Sequence, residues 1–163
     1  MYIRRFKVER FSVTSSRSFE AVLAALKDWV GRLDIAEFAE ASRQAATFAE
    51  LKKMIDQNVG KTGLMLFMEL DHGAVLRKET ELTKPKILRL VIGNPLVMKE
   101  MAKHVPDAGS YAPVTVLVDE RGDGVHLSYD RMASLLAPYG NKDAIAVARE
   151  LDSKIENLLQ SVI

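Results

Sequence analysis

The sequence predicts a single α/β domain, on three observations: helical stripes of apolar residues near both ends, two short apolar runs at 64–71 and 87–93, and a turn cluster between two β-branched runs at 114–129. At 163 residues such a chain is long enough to bury roughly two thirds of the surface its unfolded form exposes, without a covalent staple.

Phe6 to Val13 is aromatic and β-branched, but its alternation changes phase between Val8 and Phe11, as in an edge strand carrying a bulge. Phe19, Val22, Leu23, Leu26, Val30 and Leu33 recur at three- and four-residue steps after a serine cluster, predicting a first helix. Asp34 and Glu37 have capping-box spacing, and Phe38, Ala41, Ala45, Phe48, Leu51 and Ile55 continue to Gly60. A second, alanine-rich helix over about 35–59 follows. Leu64 to Asp71 is a strand whose polar face emerges at Glu69 and Asp71. Ile87 to Gly93 is another, joined to it by a charged connection, Gly73 to Lys86, with room for a helical turn. Asn94-Pro95 caps and opens a helix whose buried side is Val97, Met98, Met101 and Val105.

Val114 to Val118 and Val125 to Tyr129 flank Arg121-Gly122-Asp123-Gly124 and read as a hairpin. Asp130 is placed to cap a short helix reaching Ala137, Pro138 and Gly140 break it, and Asn141 caps the last, long amphipathic helix. There Ala144, Ala148, Leu151, Ile155, Leu158 and Val162 form a seam widened by Ile145, Val147 and Leu159, wide enough to pack internally and still offer a side to another subunit.

Basic and acidic side chains number 23 and 22, so no global field steers the protein toward nucleic acid or an anionic membrane. The absence of cysteine excludes disulfides, thiolate nucleophiles and cysteine-ligated metals. The charged N-terminus lacks the apolar run of a signal peptide, and no run is long enough to span a bilayer, so the expected location is cytoplasmic.

Phe11 through Phe19, Asp71-His72, Gly93-Asn94-Pro95, Pro113, the valine-rich strand ending at Asp119, and Ser128-Tyr129-Asp130 together resemble the bacterial family known as domain of unknown function 302 (DUF302). Order and spacing carry the likeness, which spans most of the chain. It implies an α+β domain with an antiparallel sheet of four to five strands, helices packed on it, and a homodimer. It brings no reaction and no cofactor. Asp34 to Thr62 departs from the pattern, which has a shorter link there, so the second helix reads as an addition.

Candidate chemistry collects at three strand ends. His72, beside Asp71, is a candidate catalytic general base near neutral pH. Adjacent strand residues point to opposite faces, however, and the alternative is that His72 caps the loop. Gly93-Asn94-Pro95 sets a strand end against a helix N-terminus, suited to an anion or simply a well-built corner. Tyr129 and Asp130 are candidate ligand contacts, or a core aromatic and a helix cap. The ligand-binding set is thus Asp71, His72, Gly93, Asn94, Tyr129 and Asp130.

The other histidines, His104 and His126, have no metal-site spacing, and no metal is expected. Gly60-Lys61-Thr62 lacks the first glycine of a phosphate loop, and Arg121-Gly122-Asp123 is accounted for by its turn. Arg4, Arg5, Lys7 and Arg10, with Tyr2 and Phe6, form a basic strand suited either to stacking on bases or to guarding a sheet edge. Met65, Met68, Met98 and Met101 could line an adaptable apolar pocket. The leading expectation is a homodimeric module binding a small apolar or amphipathic ligand. The alternatives are an enzyme on a small carbonyl or acyl compound, with His72 as base, and a protein-interaction domain using the last helix.

Overall fold

The structure, a computed structural model, describes residues 1, 3–81 and 83–163. Among the described residues, six strands form one sheet: β1 (Arg10–Ser15), β2 (Gly31–Arg32), β3 (Met65–Asp71), β4 (Ile87–Gly93), β5 (Val114–Arg121) and β6 (Gly124–Asp130), in the order β1-β6-β5-β4-β3-β2. The helices are α1 (Phe19–Trp29), α2 (Ile35–Gln44), α3 (Phe48–Asn58), α4 (His72–Thr80), α5 (Pro95–Ala102), α6 (Met132–Leu136) and α7 (Lys142–Ser161). The α+β class with a mainly antiparallel sheet agrees with the expectation, but the strands number six rather than four to five. The extra one is the two-residue β2, which pairs parallel to β3 and is too short to leave a periodic signature.

Burial alternates along the whole of β6 and along β4 and β5 as far as Ile92 and Val118. Leu88, Leu90, Ile92, Val114, Val116, Val118, Val125, Leu127 and Tyr129 are buried on one face, and α1, α5, α6 and α7 close over it. The apolar stripe of α7 is spent inside: Ala144, Ala148, Leu151, Ile155, Leu158, Leu159 and Val162 are all buried, while Ile145 and Val147 pack against the same core. Ile145 and Val147, beside that seam, are only partly covered.

Several boundaries differ from the periodic reading for identifiable reasons. The first helix stops at Trp29, before Leu33, because Gly31 turns the chain into β2, where its N–H meets Leu64 O at 2.9 Å. The region 35–59 is two helices, not one. Thr47 accepts from Glu50 N at 3.2 Å while Glu50 Oε2 accepts from Ala46 N at 2.9 Å, a reciprocal cap that starts a new helix. The turn expected after Gly73 is the nine-residue α4. The strand placed at 6–13 lies at Arg10–Ser15 and pairs with β6 through six unbroken steps. The bulge is in β3 instead, where the register with β4 shifts between Leu66 and Met68.

Candidate functional site

The three candidate strand ends do not share one place. Asp71 pairs with Leu88 and Met65 with Gly93, so His72 and Asn94 lie beyond opposite ends of the β3–β4 ladder, with the five steps from Leu88 to Gly93, about 17 Å of strand, between them. β4 and β6 are both antiparallel to β5, which brings Asn94 and Tyr129 to the same end of the sheet and leaves His72 at the other.

At the His72 end, Asp71 is the cap of α4. Its carboxylate accepts from Ala74 N at 2.9 Å and from Arg77 Nη2 at 2.7 Å, and the Arg77 guanidinium holds it below the usual carboxylate range. His72 is the first residue of α4 and exposed. The capping expected of His72 is therefore done by Asp71, whose shorter side chain reaches the free amides of the first turn.

At the other end, Tyr129 is fully buried and donates to Asp152 Oδ1 at 2.6 Å. Burial, with the adjacent Asp152 carboxylate, pushes its phenol far above the usual tyrosine range. Asp130 points to the opposite face and is held by Arg10 through Nε at 2.6 Å and Nη2 at 2.8 Å. It does not cap α6. That cap comes from α7, where the wholly buried Asp152 accepts from Met132 N at 2.7 Å and Ala133 N at 3.1 Å. Arg131 stands beside this carboxylate at 3.9 Å and reaches Glu156 at 2.8 Å. Asp152 was absent from the candidate residues, although its position is a signal: four residues after Ala148 and between Leu151 and Ile155, it lies on the buried side of the stripe.

Asn94 is the cap the sequence predicts. Its Oδ1 accepts from Leu96 N at 2.8 Å, and its Nδ2 donates to Gly63 O at 2.9 Å. Both polar atoms are engaged and Pro95 has no N–H, so the corner keeps little to offer an anion. Beside it lies an apolar cavity of about 180 Å³. Its walls are Ile35 and Phe38 of α2, Phe67 of β3, Val97, Met98 and Met101 of α5, Leu151 of α7, and the segment Ala112 to Val114, with Gly93 and Asn94 at the strand end. Phe38 meets Phe67 edge to face at 5.9 Å. A Cβ at Gly93 would come within 3.0 Å of Pro113 Cβ, so glycine keeps that wall open. Of the four methionines proposed for a pocket, Met98 and Met101 line this one. Met65 is buried elsewhere and Met68 is exposed.

The basic N-terminal segment is tied down. Phe6 packs on Tyr111 and Tyr139 at 6.0 Å, and the Arg4 guanidinium lies 4.2 Å from the Tyr139 ring. Its one aromatic among the described residues, Phe6, is thus occupied in packing; Tyr2 lies outside them. His126 contacts Asp123 at 2.8 Å and Thr14 at 3.4 Å. Among the described residues, no three of His, Asp and Glu are grouped to hold a metal ion, and no helix is long and apolar enough to cross a membrane.

A family model described as Domain of unknown function DUF302 matches residues 38–162. The fold is similar to the crystal structure of an uncharacterized conserved DUF302 protein from Bacillus stearothermophilus. That likeness has a TM-score of 0.66 at 11% identity and covers 94% of this chain and 98% of that one. No curated protein matches the sequence.

Proposed function

The chain belongs to the DUF302 family, and from that premise we propose that it is a small-ligand-binding module whose ligand is a compact, neutral, apolar molecule held between α2 and α5. The cavity at Gly93 and Asn94 carries the reading. A dry apolar cavity of ~150 Å³ takes up benzene, and this one, at about 180 Å³, has room for a single ring or a short branched chain. Recognition there is by shape and by polarisable contacts with Met98, Met101, Phe38 and Phe67. Because both polar atoms of Asn94 are already bonded, a charged group would enter without a partner. Of the six candidate contacts, Gly93 and Asn94 border this space. Tyr129 and Asp130 sit at the same end of the sheet, and Asp71 and His72 belong to the far end. The enzyme alternative has less to rest on, since its base, His72, and the amides near Asn94 are separated by the length of β4.

The test is NMR of protein labelled at its methionine methyls, titrated with toluene and with indole. The Met98 and Met101 signals are expected to move saturably, with Met65 unmoved, and Val97→Trp is expected to abolish the response by filling the space. No movement at millimolar probe removes the proposal. The homodimer that the family resemblance implies is a second part of the reading, and light scattering at micromolar concentration decides it, a monomer being the adverse result.

A further inference from the structure

The face of the sheet opposite the core carries an arrangement independent of the cavity. Four strands contribute one cross-strand row, Arg89 of β4, Leu117 of β5, Ser128 of β6 and Ser12 of β1, each opposite the next. Thr115, two residues before Leu117 in β5, and Asp130, two residues after Ser128 in β6, lie on the same face toward the same end of the sheet, and Arg10 stands opposite Asp130. Arg89, Arg10, Thr115, Ser128 and Asp130 enclose a depression of about 90 Å³ over the Leu117 side chain, the room of about three waters.

The charges in this depression do not balance. Asp130 accepts two hydrogen bonds from Arg10, so that pair is closed on itself. Arg89 is exposed and has no carboxylate within ion-pair distance among the described residues. It sits on an interior strand with apolar residues, Leu70 and Leu117, directly opposite it on both sides, a setting that offers its guanidinium no counter-ion across either ladder. The remaining groups are donors: the guanidinium fork of Arg89 and the hydroxyls of Ser128 and Thr115. A planar fork beside hydroxyls is the donor set that matches an oxyanion.

We propose that this depression is a binding site for an oxyanion, the phosphate or carboxylate group of a small ligand, with Arg89 as the bidentate donor and Ser128 and Thr115 completing the cradle. Leu117 forms its floor, and the Arg10–Asp130 pair forms a wall that is already neutral.

Calorimetric titration of the full chain at low ionic strength, with inorganic phosphate and separately with acetate, tests this. At least one anion is expected to bind, and the stronger identifies the group as phosphoryl or carboxyl. Arg89→Gln is expected to weaken it by about tenfold or more, the loss of a charge-assisted contact, and Arg89→Lys by less. Ser128→Ala leaves the charge in place and is expected to weaken binding a few-fold, which keeps the proposal open to refutation if Arg89→Gln does not fold. Arg149→Gln, an exposed cation on α7, is the control and is expected to leave binding unchanged. Binding of neither anion overturns the site. So does equal weakening in the Arg149 and Arg89 variants, which marks a diffuse attraction, and so does unchanged binding in both Arg89→Gln and Ser128→Ala.

Discussion

Replacing Asp152 by alanine strips three donors of one acceptor: the Tyr129 hydroxyl and the amides of Met132 and Ala133, at 2.6, 2.7 and 3.1 Å. All three groups sit where Asp152 itself has no exposure, so water replaces the carboxylate poorly, and Arg131 loses a neighbouring negative charge. A hydrogen bond to a charged group contributes about 1.5–3 kcal/mol, and removing one partner of a buried charged cluster costs about 3–5 kcal/mol in all. For a chain of this length that loss lowers the melting temperature by about 6–20 °C. Tyr129→Phe removes one of the three donors and the longer second contact of Met132 N, at 3.2 Å, but leaves both Asp152 bonds to the start of α6, so about 1–2 kcal/mol is expected. The double variant should lose less than the two single losses added, because the Tyr129 bond is counted in both. Urea unfolding followed by circular dichroism measures all three. A loss below about 1 kcal/mol for Asp152→Ala, or strict additivity, would refute the cluster as the clamp between β6, α6 and α7.

Gly31 approaches the end of α3 so closely that a Cβ there would stand 1.7 Å from Asn58 O, so Gly31→Ala should cost about 3 kcal/mol or more and open α2–α3 to proteolysis. Gly109, with nothing within 4 Å of its Cβ position, is the control and should change stability by less than about 0.5 kcal/mol when made alanine. The Tyr111 phenol is pushed up to about 12, first by desolvation and then by its hydrogen bond with Tyr139. A group whose folded value is raised contributes stability that is complete below its unfolded value, about 10, and is lost as pH rises through about 12. Absorbance at 295 nm should show a late-titrating tyrosine that is missing in Tyr111→Phe, whose alkaline loss of stability should be shallower.

Local patterns were the legible ones. The stripes of α1, α5 and α7, the caps at Asp34, Asn94 and Asn141, and the β5–β6 turn all rest on residues within a few positions of each other, and the structure has them. What the periodicity hides is decided between distant segments. β2 is too short to have a period, and its place depends on Gly31 meeting Leu64. The cap of α6 comes from Asp152, twenty residues on, so a neighbouring aspartate, Asp130, takes the assignment on spacing alone. Two features were within reach of the sequence: Thr47 and Glu50 repeat the spacing of Asp34 and Glu37, and consecutive antiparallel strands necessarily send their C-terminal ends, here Asp71 and Gly93, in opposite directions. The cavity was half visible, through Met98 and Met101 on α5. Its other wall depends on where α2 docks, which no local pattern encodes.

The pairing of β1 with β6 also orders events in time. Arg10 meets Asp130 across 120 residues of chain, a closure that favours slow folding. On the ribosome the first strand emerges long before its partner, and β5 can join β4 while its other edge still awaits the hairpin turn. The N-terminal segment, with Arg10 unpaired and Phe6 without Tyr111 or Tyr139, stays a loose tail until the last third of the protein is made. A permuted chain that starts at Val114 would bring β1 close to β6 in sequence only by carrying β4 to the far end of the chain from β5, so it would move the long closure from one ladder to another rather than remove it.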